Sequence, residues 1–154
     1  MLVHRMIRRM DTDRIQKLAN HFRLAIEACP KGQLPITFKS FPRGSCGDTS
    51  LILGAWLEDN EYPEFEYTLG TISKSSGQLS SHAWLEKNSL IVDITADQFD
   101  LGMPSVYVGL PNDFYNRYTV KQRSIGHFRA YDKMTQLTLA SAYNTIKQHI
   151  LGSV

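Results

Sequence analysis

Residues 44–57 read GSCGDTSLILGAWL, and they predict a helix from Cys46 to Leu57. Its apolar residues, Leu51, Ile52, Leu53, Ala55, Trp56 and Leu57, surround the axis instead of forming a stripe. A helix that is apolar on all sides belongs at the centre of a fold. Cys46 opens it, at the point where a Pro-, Gly- and Ser-rich connection over 30–45 (PKGQLP, then FPRG) meets the helix. Free backbone N–H groups and the macrodipole at such an end favour an anion, and for a thiol that means the thiolate. The same N–H groups offer a place for the oxyanion of an acyl-transfer intermediate. Gly44 and Gly47 flank the position and let a substrate backbone come close. A free cysteine is otherwise a small buried hydrophobe, and Cys46 taken alone fits either description.

Upstream, Ile15, Leu18, Ala19, Phe22, Ala25 and Ile26 follow one face of a helix over 11–29, with Asp11, Thr12 and Asp13 as its capping residues and Pro30 at its far end. Downstream, Phe65 to Ile72, Ser81 to Glu86 and Leu90 to Thr95 read as strands, followed by Ser105 to Gly109. The segment Tyr131 to Leu151 returns to helical spacing through Met134, Leu137, Ala140, Ile146 and Ile150. Segregated helices and an antiparallel sheet predict an α+β architecture, with residues 1–154 as a single domain.

Composition excludes several classes. Among 154 residues, 17 Lys and Arg face 15 Asp and Glu, a formal charge of +2 that implies neither nucleic acid nor an anionic membrane as partner. Two cysteines, Cys29 and Cys46, are too few for the disulfide framework of a small secreted domain. MLVHRMIRRM at the start is basic and lacks the continuous apolar stretch of a signal peptide, and no run approaches the length of a membrane span. The expectation is a reduced, cytoplasmic protein. No C-x-x-C, H-E-x-x-H, EF-hand, P-loop or G-x-G-x-x-G pattern occurs, so no metal or nucleotide cofactor is expected.

His82 lies in SSHAWLE and Asp93 in LIVDIT, on consecutive predicted strands. A two-residue turn at 87–88 sets them directly opposite; one at 88–89 makes them diagonal neighbours on the same face; a three-residue turn separates them onto opposite faces. Asp93 sits among Leu90, Ile91, Val92 and Ile94, and a carboxylate inside an apolar strand needs a partner. An ionised Asp there accepts from one imidazole nitrogen, fixing the tautomer and leaving the other nitrogen for a thiol.

GSCGDTSLILGAWL, SHAWLE and VDIT, in that order, resemble the three motifs of the transglutaminase-like branch of the papain-like cysteine enzymes, over residues 41 to 99. The resemblance implies a papain-like core and makes Cys46 the nucleophile, His82 the base and Asp93 the orienting residue, with Trp84 and Thr95 at accompanying motif positions. It implies amide or other acyl chemistry without a cofactor, on a peptide, protein or small amide: a peptidase or deamidase with water as acceptor, a transglutaminase with an amine. Members often carry a W-x-x-x-D-P-T pattern, and here Ile94 replaces the Pro and no Trp precedes. Gln33 and Ser40 are the upstream polar candidates for a side-chain oxyanion donor. A non-catalytic binding module on the same fold is the alternative.

Other residues carry weaker signals. Cys29 before Pro30 reads as structural, His21 and His149 as surface residues, and Asp97 and Asp100 as a solvated turn. His127 follows Gly126 in a loop without a carboxylate nearby in sequence. Residues 117–133 interleave Arg117, Lys121, Arg123, Arg129 and Lys133 with Tyr118, Phe128 and Tyr131, a pattern that can bind single-stranded nucleic acid but more commonly forms a solvated edge.

Overall fold

A computed structural model of the chain describes residues 2–151, the side chains of Ile7 and Leu151 aside. The element order is α1 (Leu2–Ala28), α2 (Cys46–Asp59), β1 (Glu66–Ser73), β2 (Leu79–Lys87), β3 (Leu90–Asp93), β4 (Tyr107–Gly109), α3 (Asp113–Asn116), β5 (Thr119–Ile125) and α4 (Lys133–Leu151), with four short 3-10 turns between them. The five strands form one antiparallel sheet in the order β4-β3-β2-β1-β5. The α+β architecture is therefore as expected, with helices at both ends of the chain and the Cys46 helix between them.

Strand alternation divides the buried residues between the two faces of the sheet. Leu85 pairs with Val92, and both join the main core with Phe22 and Ile26 of α1, Ile52 and Leu53 of α2, and Leu139 and Ile146 of α4. Their neighbours Trp84 and Ile91 point the other way, into a second cluster with Ala96, Phe114 and Tyr115. The all-round apolar surface of α2 thus marks a helix enclosed by α1, α4 and the sheet, and seven consecutive residues of it, from Thr49 to Ala55, are buried. Its approach to the chain after β5 is backbone on backbone. A Cβ on Gly54 would stand 1.6 Å from the Gly126 carbonyl oxygen, and one on Gly126 would stand 2.2 Å from that of Phe65.

The structure corrects three expectations. The first helix begins at Leu2, not at Asp11, and Thr12 does not cap it; its hydroxyl donates to the Arg8 carbonyl one turn back, at 2.8 Å. Leu2, Val3, Met6 and Met10 are exposed, so this turn-by-turn extension rests on the helix propensity of Leu, Met and Arg and leaves no core-facing stripe to read. The polar stretch 119–125 is a strand, β5, made by pairing with β1 at the sheet edge; five of its first six residues are exposed and show no alternation. Finally, β3 ends at Asp93, two residues short of Thr95, because the Thr95 N–H turns to the Asp93 carboxylate at 2.9 Å.

Candidate functional site

The β2–β3 connection decides the relation of His82 to Asp93. Asn88 and Ser89 have φ of 50° and 68°, the left-handed pair of a two-residue hairpin turn. Leu85 then pairs with Val92 and Lys87 with Leu90, so Asp93 faces Trp84, and His82 is its diagonal neighbour on the same face. Of the turns considered from sequence, the one at 88–89 is present. His82 Nε2 lies 2.7 Å from Asp93 Oδ2 with both side chains essentially without solvent contact.

Asp93 is held from three further directions. Oδ1 accepts from the Thr95 N–H at 2.9 Å and the Thr95 hydroxyl at 3.3 Å, and Oδ2 accepts from the Tyr115 hydroxyl at 2.7 Å. Burial alone would push this carboxyl up; the His82 charge and hydrogen bond, then Thr95 and Tyr115, hold it below the ordinary carboxylate range. A carboxylate accepts only, so His82 Nε2 carries the proton of this bond and Nδ1 is left over. Nδ1 is buried and has no aligned hydrogen-bond partner. Burial pulls the His82 pKa down, but the charge and hydrogen bond of Asp93, with a smaller contribution from Cys46, raise it to about 9.

Cys46 is half-buried at the first position of α2. Cys46 stands close enough to His82 to help raise its pKa, but Nδ1 makes no hydrogen bond in the resting structure. Such contacts are often loose until substrate is bound. Ser45 occupies the N-cap position but does not cap: its hydroxyl donates to the Pro42 carbonyl at 3.1 Å, and among the described residues no side chain accepts from the first N–H groups of α2. The helix end beside Cys46 therefore keeps its donors for something else.

Aromatic rings enclose the imidazole. Phe99 meets it edge-on at 5.1 Å and Phe114 at 5.9 Å, with Trp84 at 5.8 Å and Tyr118 at 6.1 Å. Trp84 is 2% exposed and its indole N–H donates to Glu86 at 3.1 Å. It lies over Gly70, where a Cβ would come within 2.9 Å of the indole and 2.8 Å of Tyr118. Exclusion of water strengthens the His82–Asp93 pair.

The same pair couples stability to pH. His82, raised from 6.5 to about 9, contributes stability that is fully present below about pH 6.5 and is lost as pH rises through about 9. Asp93, lowered, contributes above the ordinary carboxylate value of about 3.9, and that contribution is lost as pH falls through its folded pKa. The urea midpoint of the wild type is therefore expected to fall between pH 6.5 and pH 9 by more than that of Asp93→Asn. Parallel profiles for the two proteins would contradict a charged His82–Asp93 pair.

Sequence reading missed Tyr115, Phe114 and Phe99. The first two sit on α3, a single turn whose only local signal is Asn112, whose side chain accepts from the Tyr115 N–H at 3.3 Å. Gln33 and Ser40 are both exposed, on the loop before α2. Asp97 is not a solvated turn residue: its two oxygens take Arg23 of α1 at 2.8 and 2.9 Å, and the same guanidinium donates to the Ile94 carbonyl at 2.7 Å, next to Asp93. Asp100 is the exposed one, 3.4 Å from Arg43.

His149 is half-buried, not a surface residue. Its Nδ1 lies 3.1 Å from the Thr145 carbonyl and 3.3 Å from Cys29 Sγ. A carbonyl only accepts, so that nitrogen carries a proton and is no base for the thiol, whose pKa burial pushes up. His127 has a carboxylate after all, Glu58, with Nε2 at 3.5 Å, and lines a cavity of about 380 Å³ to which Cys46, His82 and Asp93 do not contribute. Within 117–133, Arg123 meets Glu86 at 3.3 Å, Arg129 meets Asp59 at 2.8 Å, and Arg117 lies over the Phe114 ring.

Among the described residues no three His, Cys, Asp or Glu are grouped to hold a metal ion, and no helix is long and apolar enough to cross a membrane. No protein-family model, curated protein or solved structure matches the chain.

Proposed function

We propose that this chain is a cysteine acyl-transfer enzyme of the transglutaminase-like kind, with a papain-like core, acting on an amide or other acyl bond. The observation that carries the reading is the dry His82–Asp93 hydrogen bond of 2.7 Å, which leaves Nδ1 unpartnered for the thiol that opens α2. Cys46 is the nucleophile, His82 the proton carrier and Asp93 the orienting group. As Cys46 attacks, His82 takes the thiol's proton and becomes an imidazolium stabilised by Asp93. The sulfur bonds to the carbonyl carbon, and the N–H groups at the start of α2 receive the oxyanion. As the tetrahedral species collapses, the C–N bond breaks and His82 gives its proton to the departing amine. Water or a second amine then attacks the thioester, His82 takes the attacking group's proton, and the thiolate leaves.

Iodoacetamide tests this without knowledge of the substrate. Cys46 is expected to be labelled stoichiometrically at pH 6, where a free thiol is mostly protonated, while buried Cys29 stays unlabelled as an internal control. Labelling of Cys46 that rises only near pH 8.5, as for an ordinary thiol, would count against the enzyme and favour a binding module on this fold.

A further inference from the structure

We propose that the Tyr67 hydroxyl is the side-chain donor that, with the N–H groups at the start of α2, binds the oxyanion formed when Cys46 is acylated. The proposal rests on the acyl-transfer reading above and supplies the donor for which Gln33 and Ser40 had been the candidates. Tyr67 pairs with Leu85 on one side and Ser124 on the other, so its side chain lies on the face of the sheet that carries α2. There its hydroxyl lies 3.4 Å from the position a Cβ on Gly47 would take, against the residue that follows the nucleophile. A Cβ at 47 would be in van der Waals contact with the hydroxyl.

The hydroxyl has no use within the fold. Every other half-buried or buried tyrosine hydroxyl of the sheet's helical side has a partner: Tyr131 binds the Ile125 carbonyl and Ser124, Tyr143 binds Asp59, and Tyr62 binds Asp11. Tyr67 has none. Its oxygen is not among the fully buried polar atoms, so solvent reaches it, and beside the uncapped helix N–H groups it is a donor free to turn to an acceptor that binds there. Burial, and after it the charge of Cys46, push its pKa up to about 12, so it remains a proton-bearing donor while the sulfur carries charge. Two kinds of donor, the phenol and the backbone, then converge where the carbonyl oxygen of a Cys46-bound acyl group would lie. Tyr118 also interacts with Cys46, but its ring packs on His82 and Trp84, away from Gly47.

The test separates two reactions of one sulfur. With 4-nitrophenyl acetate, the Cys46 sulfur bonds to the acetyl carbon, the C–O bond to 4-nitrophenolate breaks, and the thiol proton stays on His82; an oxyanion forms on the way. With iodoacetamide, sulfur displaces iodide at a saturated carbon and no oxyanion forms. Tyr67→Phe is expected to slow acetylation of Cys46, read by nitrophenolate release over the Cys46→Ala background and by mass at Cys46, by about 10²–10³-fold. Alkylation is expected to stay within about twofold of wild type, which also reports that the site is folded. Equal acetylation rates in the two proteins would overturn the assignment. So would a parallel fall in both reactions, which would make Tyr67 a support for the thiolate, and so would a selective loss of acetylation in Tyr118→Phe instead. Wild-type Cys46 that is alkylated at pH 6 but never acetylated would remove the acyl-transfer reading itself, and Tyr67's role with it.

Discussion

Asp93→Asn is expected to lower acyl transfer through Cys46 by about 10⁴-fold, the order seen when the orienting carboxylate of a catalytic triad is replaced by its amide. The reason lies in the three donors around Asp93. Thr95 presents its backbone N–H to Oδ1 at 2.9 Å, and a backbone donor cannot be turned around. The asparagine must therefore keep its oxygen towards Thr95 and put its NH₂ where Oδ2 was, facing His82 Nε2. Tyr115, whose hydroxyl can rotate, adapts by accepting. His82 cannot donate to an NH₂, so its proton moves to Nδ1, the nitrogen that the thiol needs free. The same change removes the charge that holds His82 as an imidazolium, so alkylation of Cys46 by iodoacetamide at pH 6 is expected to slow as well. Nitrophenolate release from 4-nitrophenyl acetate and the pH profile of alkylation measure the two effects. An alkylation profile superimposable on that of the wild type would take Asp93 out of the site and leave a Cys46–His82 dyad.

Trp84→Ala is expected to cost about 3–5 kcal/mol of folding stability, the range for removing a fully buried large aromatic. The indole fills the space between Gly70, Tyr115 and Tyr118, with ring centroids 5.2 and 5.7 Å from the two tyrosines. Its removal also leaves the Glu86 carboxylate without the indole N–H and lets water approach His82. Urea unfolding of the two proteins measures the difference, and a loss below about 1 kcal/mol would show that this side of the sheet is loosely packed.

Residues whose role depends on local pattern were legible in the sequence. The all-round apolar run after Cys46 announced a central helix, because no surface helix can expose such a run. The short connection over 87–89 narrowed the His82–Asp93 relation to three registers, since a hairpin turn sets which face each side chain takes. Asp93 stood out as a carboxylate among aliphatic residues, where only a partner makes it tolerable. Residues whose role depends on distant contact gave no such signal. Arg23 and the Ile94 carbonyl are 71 positions apart, Tyr115 and Asp93 are 22 apart, and their side chains look like any surface arginine and any aromatic in a loop. Strand β5 was hidden for the same reason: exposed edge residues need not alternate, and only the unpaired edge of β1 turned TVKQRSI into a strand.

The sequence by itself therefore determined the α+β order, the placing of Cys46 at the opening of the central helix, and a His82–Asp93 pair open to one of three registers. The tertiary structure alone decided which register holds, because the left-handed backbone at Asn88 and Ser89 is selected only when the strands close on one another. It also decided that the pair is dry, since the rings that exclude water, Trp84, Phe99, Phe114 and Tyr118, come from three different segments. And it placed Tyr67, two elements along from the loop where a donor was sought, beside Gly47. Local pattern encodes which face a residue takes; which residues meet across the fold is settled by packing, where chain separation carries no information.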